Sequence, residues 1–133
     1  MLGLDYGERR IGVALSDPTG TIASPHGVID RSNDDVDDAL RTLCRDHDIV
    51  RIVIGLPVSL DGEEHDMAAA VREFGTRVVA ATGVDVVFAD ERFTTIVAER
   101  ALLESGMRRR DRRDRRDMVA AAVMLQSYLD GER

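Results

Sequence analysis

The segment LGLDYGERRIGVALSD, residues 2–17, constrains the fold more than any other part of the chain. Its two short apolar runs, Leu2–Asp5 and Ile11–Leu15, are separated by five residues that include a glycine and two arginines. A glycine among polar residues favours a tight connection, so the segment predicts a β-hairpin. The first strand of this hairpin contains a carboxylate, Asp5, inside an apolar run, and its function is the first question that the sequence raises.

Strand and helix patterns alternate along the rest of the chain. A third strand is predicted within Thr19–Ile29, although Pro25 weakens it. Apolar residues at helical spacing then predict a helix with Asn33 or Asp34 as its N-cap. Buried strands are predicted from two β-branched runs, which are Ile49–Gly55 and Val84–Ala89.

Three more helices complete the prediction. The first lies between the two buried strands, and its apolar face consists of Met67, Ala70, Val71, Phe74, Val78 and Ala81. The others cover roughly Thr95–Glu104 and about Asp117–Leu129, with an arginine-rich loop or frayed helix start between them. The order β-β-β-α-β-α-β-α-α predicts an α/β fold in which an antiparallel meander is followed by parallel crossover strands.

Composition limits the class of protein. The chain has 133 residues, of which 44% are hydrophobic and 32% charged, as expected for one packed domain over residues 1–133. No apolar run approaches the roughly 18 residues of a membrane-spanning helix, and no signal peptide is recognisable. The single cysteine, Cys44, cannot form an internal disulfide. A cytoplasmic protein with no membrane association is expected.

Charge is distributed unevenly along the chain. The net charge is −7, yet RRRDRRDRR, residues 108–116, has seven arginines and two aspartates, a local charge of +5. A cationic patch on an acidic body favours phosphate binding, and a solvated loop of mixed charge is the alternative. Arg9 and Arg10 either steer a phosphate or are exposed turn residues. The predicted nucleic-acid-binding residues are Arg9, Arg10, Arg108, Arg109, Arg110, Arg112, Arg113, Arg115 and Arg116.

Three carboxylates lie where an α/β fold places its ligands. Asp5 ends the first strand, Glu91 follows the last strand beside Asp90, and Asp117 opens the final helix. Converging carboxylates repel one another unless a divalent cation binds, and oxygen ligands select Mg²⁺ or Mn²⁺. Two such ions about 4 Å apart can activate water and stabilise a leaving oxygen. Asp5, Glu91 and Asp117 are the predicted catalytic and metal-binding residues, with Asp90 as a further candidate ligand.

Each carboxylate also has a structural alternative. Asp117 suits the positive end of a helix. Asp90 or Glu91 could pair with Arg92, and a strand-end aspartate such as Asp5 can cap a turn. Spacing alone does not decide between these roles and metal binding.

Four ordered blocks resemble the YqgF/RuvX family. They are LDYGERRIGVALSD, VIGLPVSLDGEE, DERFTT and DMVAAAVMLQSYLD, which together extend from Leu2 to about Leu129. Members of this family are described as Holliday junction resolvases and as pre-16S rRNA nucleases. The resemblance implies a ribonuclease H-like fold, a five-stranded mixed β-sheet flanked by helices. It also implies that Asp5, Glu91 and Asp117 bind Mg²⁺ or Mn²⁺ and hydrolyse a phosphodiester of structured RNA or branched DNA.

One departure from the related RuvC resolvases bears on activity. Those enzymes have a fourth acidic residue one turn beyond the last aspartate, near where this chain has Ala120 and Ala121. Asp114, one turn earlier, is expected to be a poor ligand because it falls in the arginine-rich loop.

The sequence leaves other functions open. A homodimer would suit cleavage of two strands. One alternative function is a nucleic-acid-binding ribosome-assembly factor that does not cut. The block at residues 5–13 also resembles the phosphate loop of actin-like ATPases, but those proteins enclose ATP between two such domains and this chain supplies one.

Overall fold

The computed structural model describes residues 1–57, 66–90 and 109–131. Within these ranges it has five strands and three helices. They are β1 (Leu2–Tyr6), β2 (Arg10–Ser16), β3 (Ala23–Asp30), α1 (Val36–Asp46), β4 (Arg51–Leu56), α2 (Asp66–Thr82), β5 (Asp85–Asp90) and α3 (Arg109–Gly131). The helix predicted over Thr95–Glu104 lies outside the described residues.

The five strands form one mixed sheet in the order β3-β2-β1-β4-β5. β1 pairs antiparallel with β2, and β2 with β3, whereas β1–β4 and β4–β5 are parallel. The predicted hairpin, the antiparallel meander and the parallel crossovers are therefore confirmed. In the β1–β2 register, Asp5 lies opposite Gly12.

Helices cover both faces of the sheet. Leu2 and Leu4 of β1 are fully buried in a core layer that includes Val71 of α2. Gly3 lies between them and faces the other side, where a Cβ would come within 2.9 Å of the Leu125 Cβ in α3. This period-2 alternation means that residues of β1 with odd numbers face α3 and those with even numbers face α1 and α2. Asp5 therefore belongs to the α3 face.

The prediction for the start of α1 is wrong by one or two residues. The N-cap is Asp35, whose carboxylate accepts a hydrogen bond from the Asp38 N–H at 3.1 Å. The side chains of Asn33 and Asp34 are already used in the preceding turn, since Asn33 Nδ2 donates to the Asp30 carboxylate and the Asp34 carboxylate accepts from the Asp30 N–H. Asp35 is the first residue that remains able to cap the helix.

The buried face of α2 also differs from the prediction. Met67 is 41% exposed, and the buried positions are Ala68, Val71, Phe74, Gly75 and Val78. The residues that were correctly placed, Val71, Phe74 and Val78, follow the helical period from the middle of the helix. In the first turn the buried face is continued by Ala68, three residues before Val71, rather than by Met67.

The arginine-rich segment is helical where the structure describes it. α3 begins at Arg109, eight residues before the predicted start at Asp117. The segment contains no glycine or proline between Arg109 and Asp117, and arginine has a high helix propensity. Of the two alternatives predicted for this segment, a loop or a helix start, the loop is wrong for residues 109–116 and the helix start agrees with the structure. No helix among the described residues is long and apolar enough to cross a bilayer.

Candidate active site

Close packing of α3 on β2 brings two of the predicted carboxylates to one edge of the sheet. Asp5 pairs with Gly12, and a Cβ added at Gly12 would overlap the backbone carbonyl of Asp117. Only glycine permits this approach of helix to strand. Asp5 and Asp117 therefore lie near the same point of β2, Asp5 on the neighbouring strand and Asp117 on the helix above it.

Arg10 joins β2 to α3 at this edge. Its Nε donates to Asp117 Oδ2 at 2.7 Å and lies 3.7 Å from Asp114 Oδ1. The Arg10 and Asp117 side chains are 26% and 22% exposed. The hydrogen bond to Asp117 raises the pKa of Arg10 above its ordinary value, so the guanidinium stays charged. A pair this accessible stabilises the fold by only about 0–1 kcal/mol, and its main effect is to fix the Asp117 carboxylate.

The structure removes one alternative explanation of Asp117. This residue lies two turns inside α3, because the helix begins at Arg109. The helix dipole acts mainly on the first turn, so it does not account for a carboxylate at this position. Asp114, one turn earlier, lies on the same helix rather than in a loop, and its side chain is 53% exposed.

A shallow pocket of about 290 Å³ opens at the end of the hairpin. It is lined by Gly7, Glu8, Arg9, Arg10 and Asp117. The Arg9 side chain is exposed and that of Arg10 is half-buried. Two guanidinium groups beside a carboxylate suit an anion that binds together with a cation.

The loop that forms this pocket is tight. A Cβ on Gly7 would lie 2.5 Å from the Arg10 carbonyl oxygen, so the turn from β1 to β2 requires glycine there. The loop is also held by Arg31, which sequence reasoning missed. Its guanidinium donates to the carbonyls of Gly7 and Glu8. No local pattern in the sequence signals this contact, because the partners are 24 and 23 residues away.

Of the two acidic residues predicted at the end of β5, the structure describes Asp90 but not Glu91. Asp90 is exposed and lines another pocket, with Ser127 and Tyr128 near the other end of α3. The structure does not bring Asp90 into the pocket of Arg10 and Asp117.

The donor chemistry of the edge fits a hard divalent cation. Asp5 and Asp117 supply carboxylate oxygens, the ligands that Mg²⁺ and Mn²⁺ prefer. Among the described residues, no cluster of three or more His, Cys, Asp or Glu side chains is placed to hold a metal ion. The third predicted ligand, Glu91, is not among the described residues.

The predicted nucleic-acid-binding arginines fall into three groups. Arg9 and Arg10 line the pocket, and Arg108 lies outside the described residues. The remaining six are all within α3, where Arg113 and Arg115 are exposed and Arg116 is half-buried. The others in the helix are Arg109, Arg110 and Arg112.

Comparison with known sequences identifies relatives over almost the whole chain. The family model described as "RuvX: Holliday junction resolvase" matches residues 1–131. A relative from Moorella thermoacetica is 45% identical over 131 residues, covering 98% of this chain and 94% of its own. One from Anaplasma marginale is 44% identical over 131 residues, covering 98% and 83%. Both have the name "Putative pre-16S rRNA nuclease".

Solved structures show the same fold at low sequence identity. Thermus thermophilus RuvC in complex with a Holliday junction substrate superposes with a TM-score of 0.58 at 13% identity, covering 98% of this chain and 94% of RuvC. A second RuvC structure from this organism has a TM-score of 0.52 at 15% identity. The ribonuclease H-like fold predicted from the sequence is confirmed. The chain therefore belongs to the RuvX family of nucleases, which are hydrolases acting on ester bonds, and it shares the fold of RuvC.

Proposed function

We propose that this chain is a metal-dependent nuclease that hydrolyses phosphodiester bonds of structured nucleic acid at the edge formed by β1, β2 and α3. The observation that carries the proposal is the convergence at Gly12, which faces Asp5 on one side and Asp117 on the other. Asp5, Glu91 and Asp117 would hold Mg²⁺ or Mn²⁺, with two ions in the complete site. Bound ions of this kind activate water for attack and stabilise the leaving oxygen.

The chain's own groups bind and orient the substrate. Arg10 keeps the Asp117 carboxylate in one orientation through the 2.7 Å hydrogen bond. Asp5 is held in a paired strand rather than on a loop, which limits its movement. Arg9, which also lines the pocket, would contact a backbone phosphate of the bound substrate.

The arginines of α3 extend the phosphate-binding surface away from the pocket. Arg113, Arg115 and Arg116 lie within the turn of α3 that precedes Asp117. Contacts with backbone phosphate give affinity that depends strongly on salt and little on sequence. Recognition of shape and backbone is the mode of binding that this surface supports.

Two substrates follow from the comparisons. The names of the relatives point to pre-16S rRNA, of which we propose processing at the 5′ end, and the family description points to the Holliday junction. Both are structured nucleic acids, and we propose one or both as substrates of this chain in the cytoplasm. Residues 1–133 form a single domain in this proposal. For a four-way junction, a homodimer would present one site to each of two strands.

A specific observation favours a second candidate function. Ala120 and Ala121, one turn beyond Asp117, are buried at 4% and 0% exposure, so that turn has no acidic ligand. A site with fewer carboxylates than RuvC resolvases would cut slowly. The second candidate is therefore an assembly factor that binds structured RNA without turnover.

One experiment separates the two candidates. Labelled pre-16S 5′ leader RNA and a four-way DNA junction are incubated side by side with wild type and Asp5→Asn, in Mg²⁺, Mn²⁺ or EDTA. The nuclease proposal predicts metal-dependent cutting that the variant loses, and the preferred substrate identifies the biological one. Tight binding by both proteins with no cutting in any metal would favour the assembly factor.

A further inference from the structure

Arg31 holds the β1–β2 loop from the side of the sheet opposite the proposed site. Its Nη1 donates to the Gly7 carbonyl at 2.9 Å and to the Glu8 carbonyl at 2.8 Å. Its backbone N–H donates to the Arg9 carbonyl at 2.9 Å. Three consecutive carbonyls of one loop are thus bound by a single residue that follows β3.

The Arg31 guanidinium is itself held in place. Its central carbon lies 4.7 Å from the centroid of the Tyr6 ring, within the range of a cation–π interaction. The Tyr6 ring contacts Phe74 of α2, with centroids 4.7 Å apart. Tyr6 follows Asp5 directly, and its side chain faces the opposite layer of the core. Arg31 therefore contacts both the loop and the end of β1 that contains Asp5.

We propose that Arg31 is a positioning residue for the nuclease reaction. By fixing the carbonyls of residues 7–9, it sets the path of the loop between Asp5 and Arg10. Arg10 in turn orients Asp117 at the far end of this connection. The cleavage part of this inference rests on the proposed function, whereas the effect of Arg31 on the loop does not.

The chain offers a matched control for Arg31. Arg31 and Arg77 line one pocket of about 320 Å³ beside Tyr6. Arg77 pairs with Asp37 at 2.9 Å and, within the described part of the chain, donates no hydrogen bond to the loop. Arg31→Met retains an unbranched apolar stem beside Tyr6 and removes the donors to the loop. Arg77→Met makes the same chemical change in α2, where it does not affect the loop donors.

The test measures the loop and the reaction separately. Backbone order parameters at Gly7, Glu8 and Arg9 should fall from about 0.85 towards 0.6 in Arg31→Met and stay unchanged in Arg77→Met. Single-turnover cleavage in Mg²⁺ should slow by about tenfold or more in Arg31→Met, because small displacements of reacting groups are costly. KM should change much less, and Arg31→Lys should recover part of the rate. Both methionine variants should have similar Tm values.

Each negative result has a defined meaning. An unchanged loop in Arg31→Met would overturn the proposal, as would a loosened loop with normal cleavage. If Arg31→Met and Arg77→Met lose Tm and cleavage rate to the same extent, the role of Arg31 is purely structural. This result would also overturn the proposal. If wild type does not cut, the proposed function fails. In that case the order parameters of residues 7–9 still decide whether Arg31 fixes the loop, because that part of the proposal does not depend on cleavage.

Discussion

Arg10 and Asp117 are 107 residues apart in the chain and form a 2.7 Å hydrogen bond. This contact joins the second strand to the last helix above the strand pair of Asp5 and Gly12. The same guanidinium lies 3.7 Å from Asp114, so two carboxylates on successive turns of α3 share one cation. Only the nearer of them, Asp117, lines the pocket.

Replacing these two carboxylates should have very different effects. Asp117→Asn should reduce metal-dependent cleavage by about 100-fold or more, since metal-assisted stabilisation of a transition state is worth several kcal/mol. Asp114→Asn should stay within about threefold of wild type, because its side chain is mostly exposed and its ion pair is long. Single-turnover rates of both variants test this. Equal losses would show that Asp117 has no special role.

Gly12 should be intolerant of any side chain. A Cβ there would overlap the Asp117 carbonyl, so Gly12→Ala must push α3 away from β2, at a cost of about 1–3 kcal/mol or more. Gly27 on the neighbouring strand is the control, since a Cβ there would meet nothing within 4 Å. Gly27→Ala should therefore change stability by less than about 0.5 kcal/mol. Urea unfolding of the two variants measures this difference, and similar midpoints would refute the packing argument.

Asp17 should make stability depend on acid pH. The Ile22 N–H, the Thr19 hydroxyl and the Thr21 N–H all donate to its carboxylate and lower its pKa from 3.8 to about 2. Because the folded-state pKa lies below the unfolded value, this stabilisation is present above pH 3.8 and is lost as the pH falls towards 2. The gap in unfolding free energy between wild type and Asp17→Asn should be constant at neutral pH.

The measurement for Asp17 is urea unfolding across a pH series. The gap between wild type and Asp17→Asn should narrow below about pH 4 as the wild-type carboxylate takes up a proton. Thr19→Val, which removes one of the donors, should show a smaller version of the same effect. A gap that is independent of pH would mean that the charge of Asp17 does not contribute.

The arginines near the start of α3 should control the salt dependence of binding. Each lost phosphate contact lowers the slope of log K against log salt by about 0.9 on duplex DNA. Replacing Arg113, Arg115 and Arg116 by glutamine should therefore lower the slope by up to about 3. Arg41→Gln with Arg45→Gln, in the acidic helix α1, is the control and should leave it unchanged. If the α3 variant and the α1 control have the same slope, the nucleic acid does not contact Arg113, Arg115 and Arg116.

Local patterns predicted most of the sheet and its connections. The hairpin, the crossover strands and the middle of α2 depend on periodicity that a short window of sequence contains. The start of α3 could not be predicted in this way, because RRDRRD has the composition of a solvated loop and also consists largely of good helix formers. The cap of α1 depended on which of three neighbouring polar residues the preceding turn used first.

Two carboxylates that the structure brings close together, Asp5 and Asp117, could be singled out from the sequence, but the groups that hold them could not. Asp5 was identified by its position in an apolar strand, and Asp117 by its place before an apolar helix. The contact of Arg10 with Asp117 spans 107 residues, and that of Arg31 with the loop spans 24 at most. Such partners depend on tertiary packing, which no local pattern of residue types encodes.

The most direct test of the central claim is anomalous diffraction from crystals soaked in Mn²⁺. Wild type should show a manganese peak within bonding distance of both Asp5 and Asp117, and the Asp5→Asn variant should show a weaker peak or none. A manganese peak at another position, or no peak in wild type at concentrations that support cleavage, would contradict the assignment of these two carboxylates to the metal site.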